Sequence, residues 1–460
     1  MGGFVASAPS SGTAILYDAP PSARPSLALP TAVIAQAVWH SLAWLVFANA
    51  VGVLIAVLLL APRLNNILIP WTYGRWMPVH INIQLYGWCS LPLVAFLLKV
   101  YGADREPIAA WSRPVLWVWS AALAIGSIHW LTGHSSGKLF LDWTGYPRIL
   151  FPLALLTLWA LLTAALRQNW PAATNAKPTV RAGKVVGLAL LFVIPFLIYI
   201  AADPGIYPPI NPDTGGPTGA SQLESTLVII AILLLLPFGL TKRKIPRSWK
   251  ITLPWFIFAA ESVLCLGLGR ADVSHHRPTQ YISLGSLLLW LPLTPLYYNA
   301  FAWNPNTRRW RIAFLAWWSV LIPTGWCLFL PGVLDRFKFT DGLVGHSLLA
   351  MAGFTSSLLI FVMVQLLGDD GWIFNATWSF YVWNISVLAY VIVMFIAGWH
   401  EGPNPAFNML PGIARNTLYA IRLILGILLF IASADWFLDA THLLRKKHAT
   451  LFPALPEPIR

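Results

Sequence analysis

The chain has 460 residues, of which 57% are hydrophobic and only 10% are charged. Soluble domains carry about 25% charged residues, so this composition excludes an ordinary globular protein. In a soluble protein the net charge of +13 would suggest nucleic acid as a partner. In a chain this apolar, the excess of Lys and Arg is typical of the cytoplasmic loops of a membrane protein instead, and no nucleic-acid partner is expected.

The chain divides into a tail, a membrane domain and a second tail. Residues 1–31 are rich in Ala, Ser and Pro, which predicts a disordered cytoplasmic tail. Residues 32–442 predict a membrane domain, and 443–460 a basic cytoplasmic tail. The domain contains twelve apolar stretches of roughly the 20 residues needed to cross a bilayer, which predicts an all-α bundle of twelve transmembrane helices. They lie near 34–61, 77–98, 112–132, 147–167, 185–202, 222–240, 251–270, 281–302, 312–331, 343–367, 373–399 and 416–440.

The basic residues predict the orientation of this bundle. If the N-terminus is cytoplasmic, 20 of the 30 Lys and Arg residues lie on the cytoplasmic side. This bias predicts a multi-pass protein of the cell inner (plasma) membrane with both termini in the cytoplasm. Cys89, Cys265 and Cys327 each lie in an apolar run without a CxxC spacing, so neither disulfides nor a c-type heme are indicated.

This topology predicts the depth of the histidines in the membrane. Four of them come to one depth on the outer side: His80 and His346 start helices that run inward, and His275 and His276 follow a helix that runs outward. Any one of them could simply cap a helix at the interface. An ionisable side chain at membrane depth is a functional candidate by default, and imidazole is a common ligand of heme and of copper. The adjacent pair together with His80 and His346 therefore favours a metal site.

Five segments of the chain carry a resemblance: Gly74–His80, Gly133–Trp143, His275–His276 with Tyr281, Thr340–His346 and Arg422–Phe430. In the same order, they resemble segments of a known family, the catalytic subunit I of heme–copper oxidases, and within it the cbb-type (C-family) cytochrome c oxidases. The resemblance spans residues 33 to 446.

The resemblance implies a set of cofactors and partners. His80 would ligate a low-spin heme and His346 a high-spin heme, both b-type, while His275 and His276 would hold copper. The protein would be an oxidoreductase that takes electrons from a cytochrome c-type donor subunit to O₂ or another small oxidant, with proton uptake. Other oxidase subunits and membrane lipid would be its further partners.

Arg422 lies inside the last predicted helix and is expected to have an anionic partner there. A heme propionate is a natural one, because a guanidinium can hold a carboxylate through two hydrogen bonds. The alternative is that the side chain extends to the membrane interface.

The sequence departs from the family at the metal centre. Leu348 stands where the family has a second heme-ligating histidine, and the sixth helix lacks the third copper-ligating histidine. Glu224 is the nearest substitute, although an acid in the first turn of a helix is favoured by the dipole alone. No tyrosine precedes His275 at the family's spacing. Glu261 remains as a candidate catalytic group for relaying protons, or as a carboxylic acid that simply stays neutral.

Three hypotheses follow. The first is a respiratory enzyme of the oxidase type, the function that we favour, although the departures leave catalysis open. The second is a divergent relative that acts as a heme electron-transfer or assembly subunit. A transporter ranks last, because transporters place polar groups near the midplane of broken, repeat-related helices, whereas these polar groups gather at one outer depth.

Overall fold

A computed structural model describes residues 32–170, 178–206, 223–245, 248–268 and 274–451 of the chain. The predicted tail at 1–31 lies outside these residues. Within them the protein is helical and contains no β-strand. Besides shorter helical turns, twelve long helical segments follow one another: α1 (Ala32–Leu60), α2 (Tyr73–Tyr101), α3 (Ala109–Leu131), α4 (Pro147–Gln168), α5 (Pro178–Ala201), α6 (Leu223–Leu240), α7 (Trp249–Leu268), α8 (278–299), α9 (Pro305–Leu328), α10 (Asp341–Phe374), α11 (Thr377–Glu401) and α12 (Ile413–Leu451).

Eleven of the described helices are long and apolar enough to cross a membrane, which confirms a helical membrane bundle. The exception is α8, which the sequence predicts as the eighth span. Its middle, Ser286–Leu289, winds as a 3₁₀ helix, and Pro295 lies inside its last part. Buried polar side chains such as Gln280 and Ser283 make this helix less apolar than its neighbours.

The helices α2 and α10 lie at the centre of the bundle. Of the eleven candidate spans they have the largest buried shares, 61% and 67% of their most apolar windows. The indole nitrogen of Trp88 on α2 donates a 2.8 Å hydrogen bond to Ser356 Oγ on α10 and ties the two helices together. These central helices carry His80 and His346, so the fold places both histidines inside the bundle rather than on its lipid face.

Both central helices contain a π-helical segment just after the histidine. In α2 the segment is Gln84–Cys89, and in α10 it is Leu349–Thr355. Such segments are rare and frequently accompany functional sites. Each one widens the helix within the region that faces the other central helix.

The last helix packs along the first. Trp39 donates to Thr441 Oγ1 at 3.0 Å, and Asn49 donates to Ser433 Oγ at 3.0 Å, so polar contacts join α1 and α12 at two levels. The last helix continues to Leu451 and therefore includes the first half of the segment predicted as a basic tail.

A loop between α3 and α4 is held by two charged side chains. The carboxylate of Asp142 accepts hydrogen bonds from the hydroxyl groups of Ser135, at 2.5 Å, and Ser136, at 2.8 Å. The buried ammonium of Lys138 donates to the carbonyl oxygens of Ala201 (2.6 Å), Asp203 and Ile206. These carbonyls lie at the C-terminal end of α5, where unpaired acceptors and the helix dipole favour a cation.

Candidate metal and heme sites

His80 lies two turns inside α2 with a fixed ring orientation. Its Nδ1 atom is 2.8 Å from the carbonyl oxygen of Ala48 on α1. Because a carbonyl oxygen can only accept, Nδ1 must carry the proton, which leaves the lone pair on Nε2. A histidine held in this way is typical of metal sites, where the second ring nitrogen is anchored by a backbone carbonyl.

A glycine makes room for this ring. A Cβ atom at Gly52 on α1 would lie 2.8 Å from His80 Cε1 and 3.3 Å from Nδ1, closer than real contacts allow. The absence of a side chain at this position therefore lets α1 approach the imidazole. Since Gly52 lies one turn after Ala48, the same turn of α1 both anchors the ring and accommodates it.

His346 lies in the first turns of α10 against α9. A Cβ atom at Gly325 would lie 3.3 Å from His346 Cε1 and 3.4 Å from Nε2. The Nδ1 atom is buried and has no hydrogen-bond partner among the described residues. Leu348 is half-buried and packs against the hydrophobic core.

His275 and His276 form a group with Asp335 at the outer end of the bundle. His275 Nε2 is 3.3 Å from Asp335 Oδ1, and His276 Nε2 is 3.7 Å from Asp335 Oδ2. The three ligand atoms all lie within 4.8 Å of one another. Two ligands that are each about 2.0–2.2 Å from one ion cannot be more than about 4.4 Å apart, so a small adjustment would let all three bind a single ion.

The two histidines differ in exposure. The side chain of His275 is fully buried, whereas half of the surface of the His276 side chain is accessible. The two rings stack at a tilt with their centroids 4.0 Å apart. The group is thus anchored in the protein on one side and open to small molecules on the other.

Asp335 is held as an anion. Its partial burial opposes ionisation, but the backbone N–H of Gly332 at 3.1 Å and the side chain of His275 outweigh this effect. The pKa of Asp335 therefore lies below its usual value of 3.8. Lys338 Nζ is 3.4 Å from the same carboxylate. Asp335 can thus offer a charged oxygen to a metal ion at neutral pH, in competition with one lysine.

Arg422 has an anionic partner within the chain. Its Nη1 atom is 2.6 Å from Asp341 Oδ2 at the start of α10. The Tyr419 ring lies under the guanidinium, 4.8 Å from its carbon, and its hydroxyl is 3.3 Å from the same carboxylate. Glu401 Oε2 accepts a 2.6 Å hydrogen bond from the backbone N–H of Asp341. Arg422 therefore belongs to a buried polar network that joins α10, α11 and α12.

Glu261 is buried between α7 and α8. Its Oε2 atom accepts a 2.7 Å hydrogen bond from the indole nitrogen of Trp290. The Oε1 atom is buried without a hydrogen-bond partner among the described residues. A carboxyl group with one anchored and one unoccupied oxygen can accept or donate a proton through the second oxygen.

The structure brings together some of the predicted residues and adds one. His275 and His276 converge, and their third partner is Asp335, which the sequence analysis did not propose. Glu224 lies in the first turn of α6, where the helix dipole favours an acidic side chain. It does not belong to the group of His275, His276 and Asp335. Neither His80 nor His346 has a ligand atom in the group. Asp335 could have been found as a carboxylate in the loop before α10, on the same predicted side as the histidine pair.

Two comparisons with known proteins were made. No protein-family model matches the chain. No curated protein matches it either.

Proposed function

We propose that the chain is a redox metalloprotein of the inner membrane, of the oxidase subunit I type, that delivers electrons to a small oxidant at a metal ion held by His275, His276 and Asp335. The observation that carries this proposal is the convergence of two imidazoles and one carboxylate at a half-open site. Both termini would be cytoplasmic, so the site would face the outer side. At about 1.5 Å per residue α8 is roughly 33 Å long, which supports it as a twelfth span.

The donor set bears on the identity of the metal. Two histidines and one carboxylate with open positions are typical of non-heme iron(II) sites. The resemblance in sequence implies copper instead, with a third histidine that this chain lacks. We therefore expect iron to be the better occupant, and copper is the alternative that a metal analysis distinguishes.

The residues around His80 and His346 fit a heme. His80 presents a bare Nε2 atom because Nδ1 is engaged by Ala48, and glycines at 52 and 325 border the two rings. Heme would supply the one-electron chemistry that connects a cytochrome c-type donor subunit with the outer metal ion. The protein would position the ring nitrogens and keep water away from them, because α2 and α10 lie inside the bundle.

Glu261 would move protons in this scheme. Trp290 holds one of its oxygens, and the other, which is buried and unbonded, could exchange a proton with a neighbouring carrier. A Glu261→Gln variant keeps an acceptor for the indole and loses the titratable group. We expect slower oxidant reduction with unchanged metal and heme content, whereas Trp290→Phe should affect orientation and lower the rate less.

A second function is supported by two observations. Leu348 gives His80 no opposite ligand on α10, and Asp341 already neutralises Arg422, which a heme propionate would otherwise pair with. Both favour a divergent relative that carries electrons or assists assembly without reducing O₂.

The test is a metal and heme count on the purified full-length protein, with reduced-minus-oxidised spectra recorded with and without CO. His275→Ala and Asp335→Asn should each lower the metal content at least tenfold, since ligand loss removes a bond rather than weakening one. His134→Ala and Asp369→Asn, which change exposed residues of the same types, are the matched controls.

Three outcomes separate the hypotheses. Loss of metal in the two ligand variants together with a CO-reactive heme supports the enzyme. A heme without CO reactivity and without the metal supports the electron carrier. A protein that binds neither heme nor a metal ion overturns both proposals.

A further inference from the structure

A basic pocket opens at the opposite, inner end of the bundle. It has a volume of about 220 Å³ and lies between the end of α2, the end of α4 and the start of α5. These three helix ends meet where the chain leaves the apolar part of the bundle. The pocket is therefore at the level of lipid headgroups, which in the proposed orientation is the cytoplasmic leaflet.

Four cationic side chains line the pocket: Lys99, Arg105, Arg181 and Lys184. Only one of them has a carboxylate partner in the described part of the chain, because Lys99 is paired with the buried Asp104 at 3.0 Å. One negative charge against four positive ones leaves a strong attraction for an anion.

The two arginines are available for a ligand. The side chain of Arg105 is exposed and forms no hydrogen bond or ion pair with any described residue, and the guanidinium of Arg181 only lies over the Trp170 ring at 5.9 Å. The ammonium of Lys184 is held by the carbonyl oxygen of Val100 at 2.6 Å. Fixed lysines and unpaired guanidinium groups together suit a phosphate group, whose oxygens can accept two parallel hydrogen bonds from one arginine.

Part of the remaining wall is apolar. Val100, Leu166 and Val180 line the pocket beside the cations. Ligand sites for whole small molecules have volumes of about 300–1,000 Å³, so this pocket suits a headgroup rather than a complete nucleotide. A ligand with a phosphate at one end and hydrocarbon at the other would match both kinds of wall.

We propose that this pocket binds the phosphate of an anionic membrane phospholipid. Basic pockets between transmembrane helices on the cytoplasmic side are a recurring site for anionic headgroups. The lipid would bridge α2, α4 and α5, and its acyl chains would lie along the exposed apolar surface of α5. This site is independent of the proposed redox function and lies at the other end of the helices.

The experiment uses the full-length protein in nanodiscs of phosphatidylcholine with or without phosphatidylglycerol, followed by native mass spectrometry of retained lipid. The variant Arg105→Gln/Arg181→Gln removes two cations from the pocket. Lys242→Gln/Lys244→Gln removes two exposed cations from the loop after α6 and is the matched control. We expect the pocket variant to retain phosphatidylglycerol about tenfold less than the wild type and the control to retain it equally.

A charge-conserving variant and two ligand comparisons keep the test decisive if the pocket variant folds poorly. Arg105→Lys/Arg181→Lys keeps the charge and should retain most of the lipid. Equal retention of phosphatidylglycerol and phosphatidylcholine by the wild type would overturn the proposal. It would also be overturned if inorganic phosphate bound the wild type and phosphatidylglycerol did not, because the ligand would then be a soluble anion.

Discussion

Arg422 on α12 and Asp341 on α10 form an ion pair, with 2.6 Å between Nη1 and Oδ2. The two residues are 81 positions apart in the sequence. Only 9% of the arginine side chain and 14% of the aspartate side chain are accessible. The pair joins the start of α10, five residues before His346, to the first third of α12. It therefore fixes the position of a candidate heme ligand relative to the last helix.

Breaking this pair should be costly. Asp341→Asn and Arg422→Gln each leave one buried charge uncompensated, so we expect each to lower the free energy of unfolding by about 3–5 kcal/mol. The double variant should lose less than the sum, because it leaves no unpaired charge. Unfolding in detergent with increasing denaturant measures this. Arg148→Gln, which breaks the more exposed pair with Asp203, is the control and should have a much smaller effect.

Gly52→Ala should disturb His80 through a direct contact. The added methyl carbon would lie 2.8 Å from His80 Cε1, so the ring must move away from Ala48. We expect a loss of about 1–3 kcal/mol in stability and, in the heme-loaded protein, a shifted low-spin band. Gly74→Ala is the control, since nothing lies near its added carbon. If His80→Ala does not suppress the effect of Gly52→Ala, the contact is not the cause.

Lys138→Met should loosen the loop between α3 and α4. The methionine is similar in length but cannot donate to the three carbonyl groups at the end of α5. We expect a loss of about 1.5–3 kcal/mol, the usual value for hydrogen bonds to a charged group. Hydrogen exchange should rise in residues 133–144 before it rises elsewhere. Lys250→Met, at an exposed position, should leave both measurements unchanged, and equal exchange in the two variants would contradict the prediction.

On acidification, the ion pair between Asp203 and Arg148 should break at a lower pH than the ion pair of an ordinary carboxylate. The backbone N–H of Gly205 and the guanidinium of Arg148 hold the pKa of Asp203 below its usual value of 3.8. The unfolded state binds a proton first as the pH falls, so the stabilising contribution begins to fall about one pH unit above 3.8 and is fully lost only below the lower, folded value. The stability difference between wild type and Asp203→Asn should therefore stay constant down to about pH 5 and decline below it. A difference that fades at higher pH would show that the hydrogen bonds do not hold the anion.

Local sequence predicted the helices well because hydrocarbon thickness dictates their length. It failed where polar residues interrupt an apolar run. The apolar pattern predicts that α2 starts near residue 77, whereas the helix begins at Tyr73, since Thr72 is extended and the polar Arg75 is already helical. The last helix likewise extends beyond its predicted apolar run of 416–440, by three residues at its start and eleven at its end, because Lys and Arg are good helix formers.

The site was predicted only in part, because its contacts join distant segments. The adjacency of His275 and His276 is visible in the sequence, but Asp335 reaches them only through the packing of α9 and α10. The partner of Arg422 was expected to be an anion, and nothing in the sequence near position 422 indicates Asp341. Which carboxylate meets which cation depends on the rotation of each helix, and apolar composition leaves that rotation undetermined.

The π segments of α2 and α10 have a consequence for comparing this chain with others. Each one takes one residue more than the α-helical path, and one residue corresponds to a rotation of about 100°. Trp88, within the first segment, and Ser356, directly after the second, reach each other on helices rotated in this way. Removing a single residue from either segment would turn every later side chain of that helix by about a quarter of a circle. A relative with ordinary α-helices at these places would therefore align with this chain only across a one-residue gap, next to each histidine.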